Sequence, residues 1–393
     1  MSQPAPTPTA ATQRPSINYP SAILFAVTTL AVFTVVPWYF WAYSVSAAAW
    51  IFAALVMGAT GMSITAGYHR LWSHRAYQAH WTLRVLLMLF GAMALQNSIL
   101  SWATMHRVHH KNVDDIDGDP YSIRRGFWYA HMGWMLRNYP AADVDLTSAR
   151  DLQADPIVMF QHRHYVAVAL GMNILFPLAV GALFGDAWGF LLLGGLMRLV
   201  LNHHFTFFIN SAAHSWGRRP YTTANTARDN DLLALVTFGE GYHNFHHLFQ
   251  WDYRNGIRWW HFDPTKWMIW TLSWVWMTRD LRRVPEFKIR RALLERQFEK
   301  AQERMNRCQG NCEHSGSLAA LQVQLQSELD AFKATLAEWS HLQGERIDTA
   351  RRQLANQWDQ SDLKRRLTVL EQSLKLQQQR VQLLYVQTAA AIM

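Results

Sequence analysis

Eight of the 18 histidines in this 393-residue chain stand in three short boxes. His69 and His74 lie in HRLWSH, His106, His109 and His110 in HRVHH, and His243, His246 and His247 in HNFHH. A ninth, His214, closes the string NSAAH. Two boxes share the i, i+3, i+4 spacing, which on a helix sets three imidazoles on one face, able to reach one or two metal ions from a single rigid element. Three neutral imidazoles crowded on one turn, twice over, would bury donors and acceptors without partners unless a cation organised them. Taken singly, His80, His131, His162, His164, His261, His314 and His341 read as satisfied core or interface residues.

Imidazole suits zinc, copper, nickel and iron, but a structural zinc site closes at four ligands and would leave half of the boxed histidines unused. Eight or nine ligands imply two ions. A carboxylate-bridged di-iron site needs two Glu-x-x-His motifs and two further glutamates. Glu240 with His243 and Glu338 with His341 match that spacing, but the second pair lies in the tail and the transmembrane part lacks the remaining Glu. A histidine-rich di-iron centre at a membrane surface is the better reading. The only cysteines, Cys308 and Cys312, exclude a disulfide framework and a four-thiolate cluster. With His314 they form C-x3-C-x-H, three ligands with no fourth nearby, and read as an incidental pair or a redox-sensitive turn.

The elements that must hold these boxes are membrane helices. The chain is 50% hydrophobic and 17% charged, which excludes overall disorder, and its 19 Trp, 20 Phe and 13 Tyr suit the edge of a bilayer. Four segments, at about 20–42, 46–66, 165–184 and 188–209, approach the roughly 20 residues that span about 30 Å of hydrocarbon. Short turns join them as two helical hairpins. Residues 1–18 read as a flexible leader. The segment 67–164 is rich in Arg and the short turns carry none, so the positive-inside rule puts loop, leader and tail, and with them both termini, in the cytoplasm. An apolar run at 82–95 reads as a helix in the interface or under the cytoplasmic part. Arg198, His203 and His204 fall inside the fourth segment and must face protein or a polar cavity. The expected fold is an all-α integral membrane protein, a membrane domain at 19–290 followed by a helical, coiled-coil-like extension at 291–393.

In that extension Leu363, Leu367, Leu370, Leu374, Val381 and Leu384 alternate four- and three-residue steps, with Gln377 in the missing seam position. Leu325, Leu329, Phe332, Leu336 and Trp339 do the same, and Gly344 and residues 311–316 read as breaks. A helical hairpin and a dimer both satisfy this pattern.

From GMSITAGYHRLWSHRAY at Gly61 through WATMHRVHHKN, DGDPYSIRRGFWYAHMGW and NSAAHSWG to GEGYHNFHHLF, the chain resembles the membrane-bound acyl-CoA desaturases of the stearoyl-CoA (delta-9) type. The resemblance covers roughly 20–285. It implies four transmembrane helices under a cytoplasmic cap, two irons held by the nine histidines, and Asn210 holding a metal-bound water. It also implies that Gln96, Trp102 and Thr206 bend the acyl chain at the site of oxidation, and that Met57 and Gly61 lie where the tunnel ends. The implied reaction uses dioxygen to insert a cis double bond into a saturated acyl-CoA.

One departure bears on the acyl carrier. Thr104 and Met105 stand where animal acyl-CoA enzymes have an Arg-Asp pair, so Arg75, Arg124, Arg125 or Arg137 would have to compensate in gripping CoA. Carrier protein and intact lipid stay open as carriers. No Gly-rich dinucleotide motif and no haem motif is visible, so a separate ferredoxin or cytochrome b5-like donor with its reductase is expected. The formal charge of +9 suits such a donor or anionic lipid by steering. The tail offers a route to a homo-oligomer, and no nucleic acid partner is expected. A hydroxylase or alkane monooxygenase with similar boxes, and a membrane scaffold with a relict metal site, are the rival readings.

Overall fold

The computed structural model describes residues 15–308, 323–324, 326–328, 330–335, 337–339, 341–342 and 357–390. The chain divides into two compact units, one running to Arg219 and resuming over Ala224–Arg283, the other comprising Pro220–Thr223 and the chain from Val284 onward.

Four helices of the first unit are long and apolar enough to cross a membrane: Tyr19–Ala42, Ala47–Ser73, Tyr165–Leu183 and Ala187–Ser215. Each start has a local cause. The Asn18 side chain accepts from the backbone of Ser21 ahead of the first span, and Ser46 caps the second through Ala49. Asp186 caps the fourth through Gly189 and also accepts from Tyr39 and from the backbone and hydroxyl of Ser46. One carboxylate thereby ties both short turns together at one end of the helices. The second and fourth spans, at 27 and 29 residues, exceed what the bilayer needs, and the excess carries His69 and His214. The sequence expectation ended these helices at 66 and 209, because hydropathy falls there while the helix continues.

Residues 15–18, assigned to the leader from sequence, pair with the chain at 136–138: Ile17 bridges Arg137, Asn18 N donates to Leu136 O at 2.9 Å and Asn138 N to Ser16 O at 2.9 Å. The apolar run after 80 forms the 12-residue helix Trp81–Ala92. At 1.5 Å per residue it is about 18 Å long, too short to span. Its Leu83, Leu87 and Met88 join a core with Tyr68, Trp72 and Ile99. A turn with Leu95 at φ 48° and Asn97 at φ 72° then leads into helix Ile99–Asn112, capped by Ser98. Two residues, Gln78 and Ala79, pair antiparallel with Thr278 and Arg279.

In the second unit, helices Glu286–Cys308 and Gln357–Ala390 enclose a core of Leu294, Phe298, Phe332, Trp339, Leu367 and Leu374. The seam residue Gln377 donates to Thr335 Oγ1 at 3.2 Å within the same chain. The first 14 residues of the leader, Leu325, Leu329, Leu336, Gly344, Cys312 and His314, and the side chains of Cys308, Leu363, Val381 and Leu384, lie outside the described residues.

Candidate metal centre

Nine imidazoles gather into two adjoining groups, each with ligand atoms within 4.8 Å of one another: His69, His74, His106, His110 and His246 in one, His109, His214, His243 and His247 in the other. The i, i+3, i+4 triplets therefore do not stay together. His106 and His110 serve one group and His109 the other, and the third box divides as His246 against His243 and His247. The rings of His110 and His247 stack at 4.4 Å where the groups meet.

The first box needs a distortion to take part. Five residues apart on an α-helix point about 140° away from each other. Residues Ser63–Ser73 are π-helical, and His74 N donates to His69 O at 3.1 Å, so the widened turn stacks position i+5 over i. His69 and His74 rings thereby approach to 4.8 Å.

On four of the rings the outer nitrogen meets a polar group, which bears on which nitrogen turns inward. His109 Nδ1 donates to Asp119 Oδ1 at 2.8 Å, leaving Nε2 with a bare lone pair. Thr226 has one hydroxyl proton and gives it to Asp114 at 2.6 Å, so it must accept from His214 Nδ1 at 2.8 Å. His106 Nδ1 is 3.3 Å from the Tyr121 hydroxyl. His69 Nδ1 lies 3.0 Å from Glu240 Oε2, though its N–H is poorly aligned with that oxygen. Glu240 is itself gripped by Arg70 and Asn255, and its carboxyl is held below the usual range although burial opposes this, chiefly by His69 and Arg70. Asp119 escaped the sequence reading, which weighed Glu240 only as part of a carboxylate-bridged site and set it aside. Their signals were Asp119 in DGDP, ten residues after His109, and Glu240 three residues before His243.

Burial, then the neighbouring imidazoles, pushes His74, His106, His110, His243, His246 and His247 well below the ordinary histidine range, so they are neutral at pH 7. Nε2 atoms face one another at 2.9–3.1 Å in His74–His106, His69–His246, His110–His246, His214–His243 and His243–His247. Imidazoles about 2.1 Å from one ion lie about 3.0 Å apart at right angles and about 3.4 Å apart in a tetrahedron. Buried, inward-facing nitrogens at these separations fit a pair of cations.

A cavity of about 940 Å³ adjoins the groups, with His69, His106 and His243 in its wall. Of the residues singled out from sequence, Gln96, Trp102, Thr206, His203, Asn210 and Arg137 line it. Gln96 donates to Thr206 Oγ1 at 2.9 Å and accepts from Trp102 Nε1 at 3.3 Å, and Trp102 stacks on His106 at 5.0 Å. Met57 and Gly61 are not in that wall. A Cβ on Gly61 would sit 2.1 Å from the Phe238 ring. Arg75 is engaged with Asp151, Arg125 with Asp117, and Arg124 is exposed, none of them lining the cavity. At the departure from the family pattern, Met105 lines the cavity, whereas Thr104 is buried and donates to Leu100 O.

Comparison with known proteins agrees with this geometry. The profile of the fatty acid desaturase family matches residues 46–273. A probable acyl-CoA desaturase of Schizosaccharomyces pombe is 45% identical over 246 residues, 62% of this chain and 51% of that protein. Acyl-CoA desaturase 1 of Saccharomyces cerevisiae is 44% identical over 254 residues, 64% and 49%. Human stearoyl-CoA desaturase 5 is 36% identical over 253 residues, 62% and 75%. The chain thus spans about half the length of the two yeast relatives. With more than half of its residues under the family profile and the histidine groups in place, the chain belongs to the fatty acid desaturase family.

Proposed function

We propose that the chain is an integral membrane desaturase that uses dioxygen to insert a cis double bond, at the delta-9 position, into saturated long-chain acyl-CoA for unsaturated fatty acid synthesis. The observation that carries this reading is the pair of histidine groups in the wall of a cavity lined by Gln96, Trp102 and Thr206. Its volume falls at the upper end of the roughly 300–1,000 Å³ of small-molecule sites. Relatives named acyl-CoA desaturases support CoA as the carrier.

Two irons held by the nine histidines would supply the oxidising power that no side chain offers against an unactivated methylene pair. Nine imidazoles, more than a closed four-ligand zinc site takes, favour two irons over structural zinc. The chain's own residues do the rest. The cavity wall keeps water from the reacting carbons. Trp102, lying against His106, and the Gln96–Thr206 hydrogen bond turn an acyl chain so that one C–C bond faces the metal groups. Arg137 offers charge to a CoA phosphate, and Asn210, in the same wall, would hold a water on the metal. Two hairpins of spans carry this machinery on their cytoplasmic ends, with both termini in the cytoplasm. Electrons come from a separate ferredoxin or cytochrome b5-like protein with its reductase, drawn by the basic cytoplasmic face, and the tail serves oligomerisation.

Expression in a host unable to make unsaturated fatty acids tests this directly. Rescue of growth, with a cis alkene at carbon 9 located by mass spectrometry, is expected. A hydroxylated product, or rescue through acyl carrier protein or intact lipid alone, would replace this reading.

A further inference from the structure

Arg198 is 1% exposed in the middle of the fourth span. Among the described residues it pairs with no carboxylate. Each of its three nitrogens nonetheless has an acceptor: Nε donates to Gly194 O at 2.9 Å, Nη1 to Met93 O at 2.8 Å and Nη2 to Asn173 Oδ1 at 2.6 Å. One turn further along, His203 Nε2 donates to Ala94 O at 2.8 Å. Met93 and Ala94 directly follow helix Trp81–Ala92, so cation and ring N–H both meet the negative end of that helix.

What these two residues hold is the turn that carries Gln96. Leu95 and Asn97, on either side of it, sit at φ 48° and 72°, a region that side chains other than glycine adopt at a cost and keep only where the surroundings over-determine it. From that turn Gln96 reaches Thr206, on the same span as Arg198, and receives the Trp102 N–H, while Trp102 lies on His106. A continuous set of contacts thus runs from a buried arginine, through a strained turn, to a histidine of the metal groups. A charged residue in a span calls for a functional explanation, and neither histidine group uses this one.

Resting on the desaturase reading, we propose that Arg198 and His203 are positioning residues that select which C–C bond of the acyl chain is oxidised, by clamping the Met93–Ser98 turn and with it Gln96. Loosening the clamp moves the bend of the chain relative to the metal groups and lets neighbouring methylenes compete.

The test is the positional purity of the alkene made by full-length variants in the same host, read with metal content of the purified proteins. Arg198→Lys keeps charge and loses the fork; His203→Phe keeps the ring and loses the donor. Both are expected to retain metal and to raise the share of a neighbouring double-bond isomer at least tenfold. His203→Gln, which restores an N–H donor, is expected to return the wild-type isomer. Thr34→Ala, which removes an exposed bond inside the first span, is expected to leave purity unchanged. Metal-loaded Arg198→Lys and His203→Phe proteins that slow down yet make only the wild-type isomer would overturn the assignment, as would equal scrambling by Thr34→Ala. Should neither variant accumulate, Asn173→Ser, which removes one anchor of the guanidinium, decides by the same readout. A wild-type chain that makes no alkene defeats the desaturase reading instead, a distinct result.

Discussion

For His109 and His214 the decisive partner is the one on the side away from the metal groups. A histidine side chain can present either nitrogen, and Asp119 removes that choice for His109, as Thr226 and Asp114 do for His214. Outer partners of this kind are worth roughly ten- to a hundredfold in metal affinity. Asp119→Asn can present its NH₂ to the ring and allow the wrong tautomer. Iron retained after dialysis against a chelator, measured by elemental analysis, is expected to drop by about that factor while the helices remain intact by circular dichroism. His110→Ala, by contrast, deletes a donor at the junction of the two groups and is expected to abolish desaturation and lower bound metal together. The boxes were legible because their spacing is local. Asp119 beside His109 and Glu240 beside His69 were not, because an acid becomes a partner only when folding brings it beside a ring.

Among the elements, the join between helix Ile99–Asn112 and the end of the second span matters most, since each carries part of one histidine group. Arg107 makes that join: it donates to Trp72 O at 2.7 Å and Ser73 O at 3.0 Å, and grips Asp151 at 2.9 and 2.8 Å through both guanidinium nitrogens. Those bonds, opposed by partial burial and helped by Arg75, hold the Asp151 carboxyl well below the usual carboxylate range. The folded state therefore binds the proton less readily than the unfolded chain. Stabilisation by Asp151 is complete above the unfolded value near 3.9 and is lost as pH falls from there toward the depressed folded value. Comparing melting temperatures of the wild type and Asp151→Asn, the gap is expected to be constant above about pH 5 and to close progressively below about pH 4. A gap that widened in acid would contradict the assignment. Hydropathy located all four long helices, but not how far two of them run past the bilayer, since apolar content ends before the helical hydrogen bonds do.

For the whole molecule, the two units differ in what they hold. All nine clustered histidines and the cavity belong to the first, whereas the second builds its own apolar core from Leu294, Phe298, Phe332 and Trp339. Units with separate cores can fold separately. A chain ending before Glu286 is expected to keep its full metal content and desaturase activity within about threefold of the intact chain, assayed in membranes with saturating donor. A folded, iron-loaded truncation without activity would give the tail a part in the chemistry.

The residue types and their local spacing determined that imidazoles able to hold metal would stand near the ends of membrane-length helices, because a triplet on one turn and an apolar run of bilayer length both express themselves within a few residues of chain. Tertiary structure alone decided how those imidazoles divide. A π-helical turn brings His74 beside His69, each triplet is shared between two groups, and a buried arginine in one span reaches across to the turn bearing Gln96. The last two outcomes depend on which side chains meet across separations of up to 177 residues, and close packing, not periodicity, settles that.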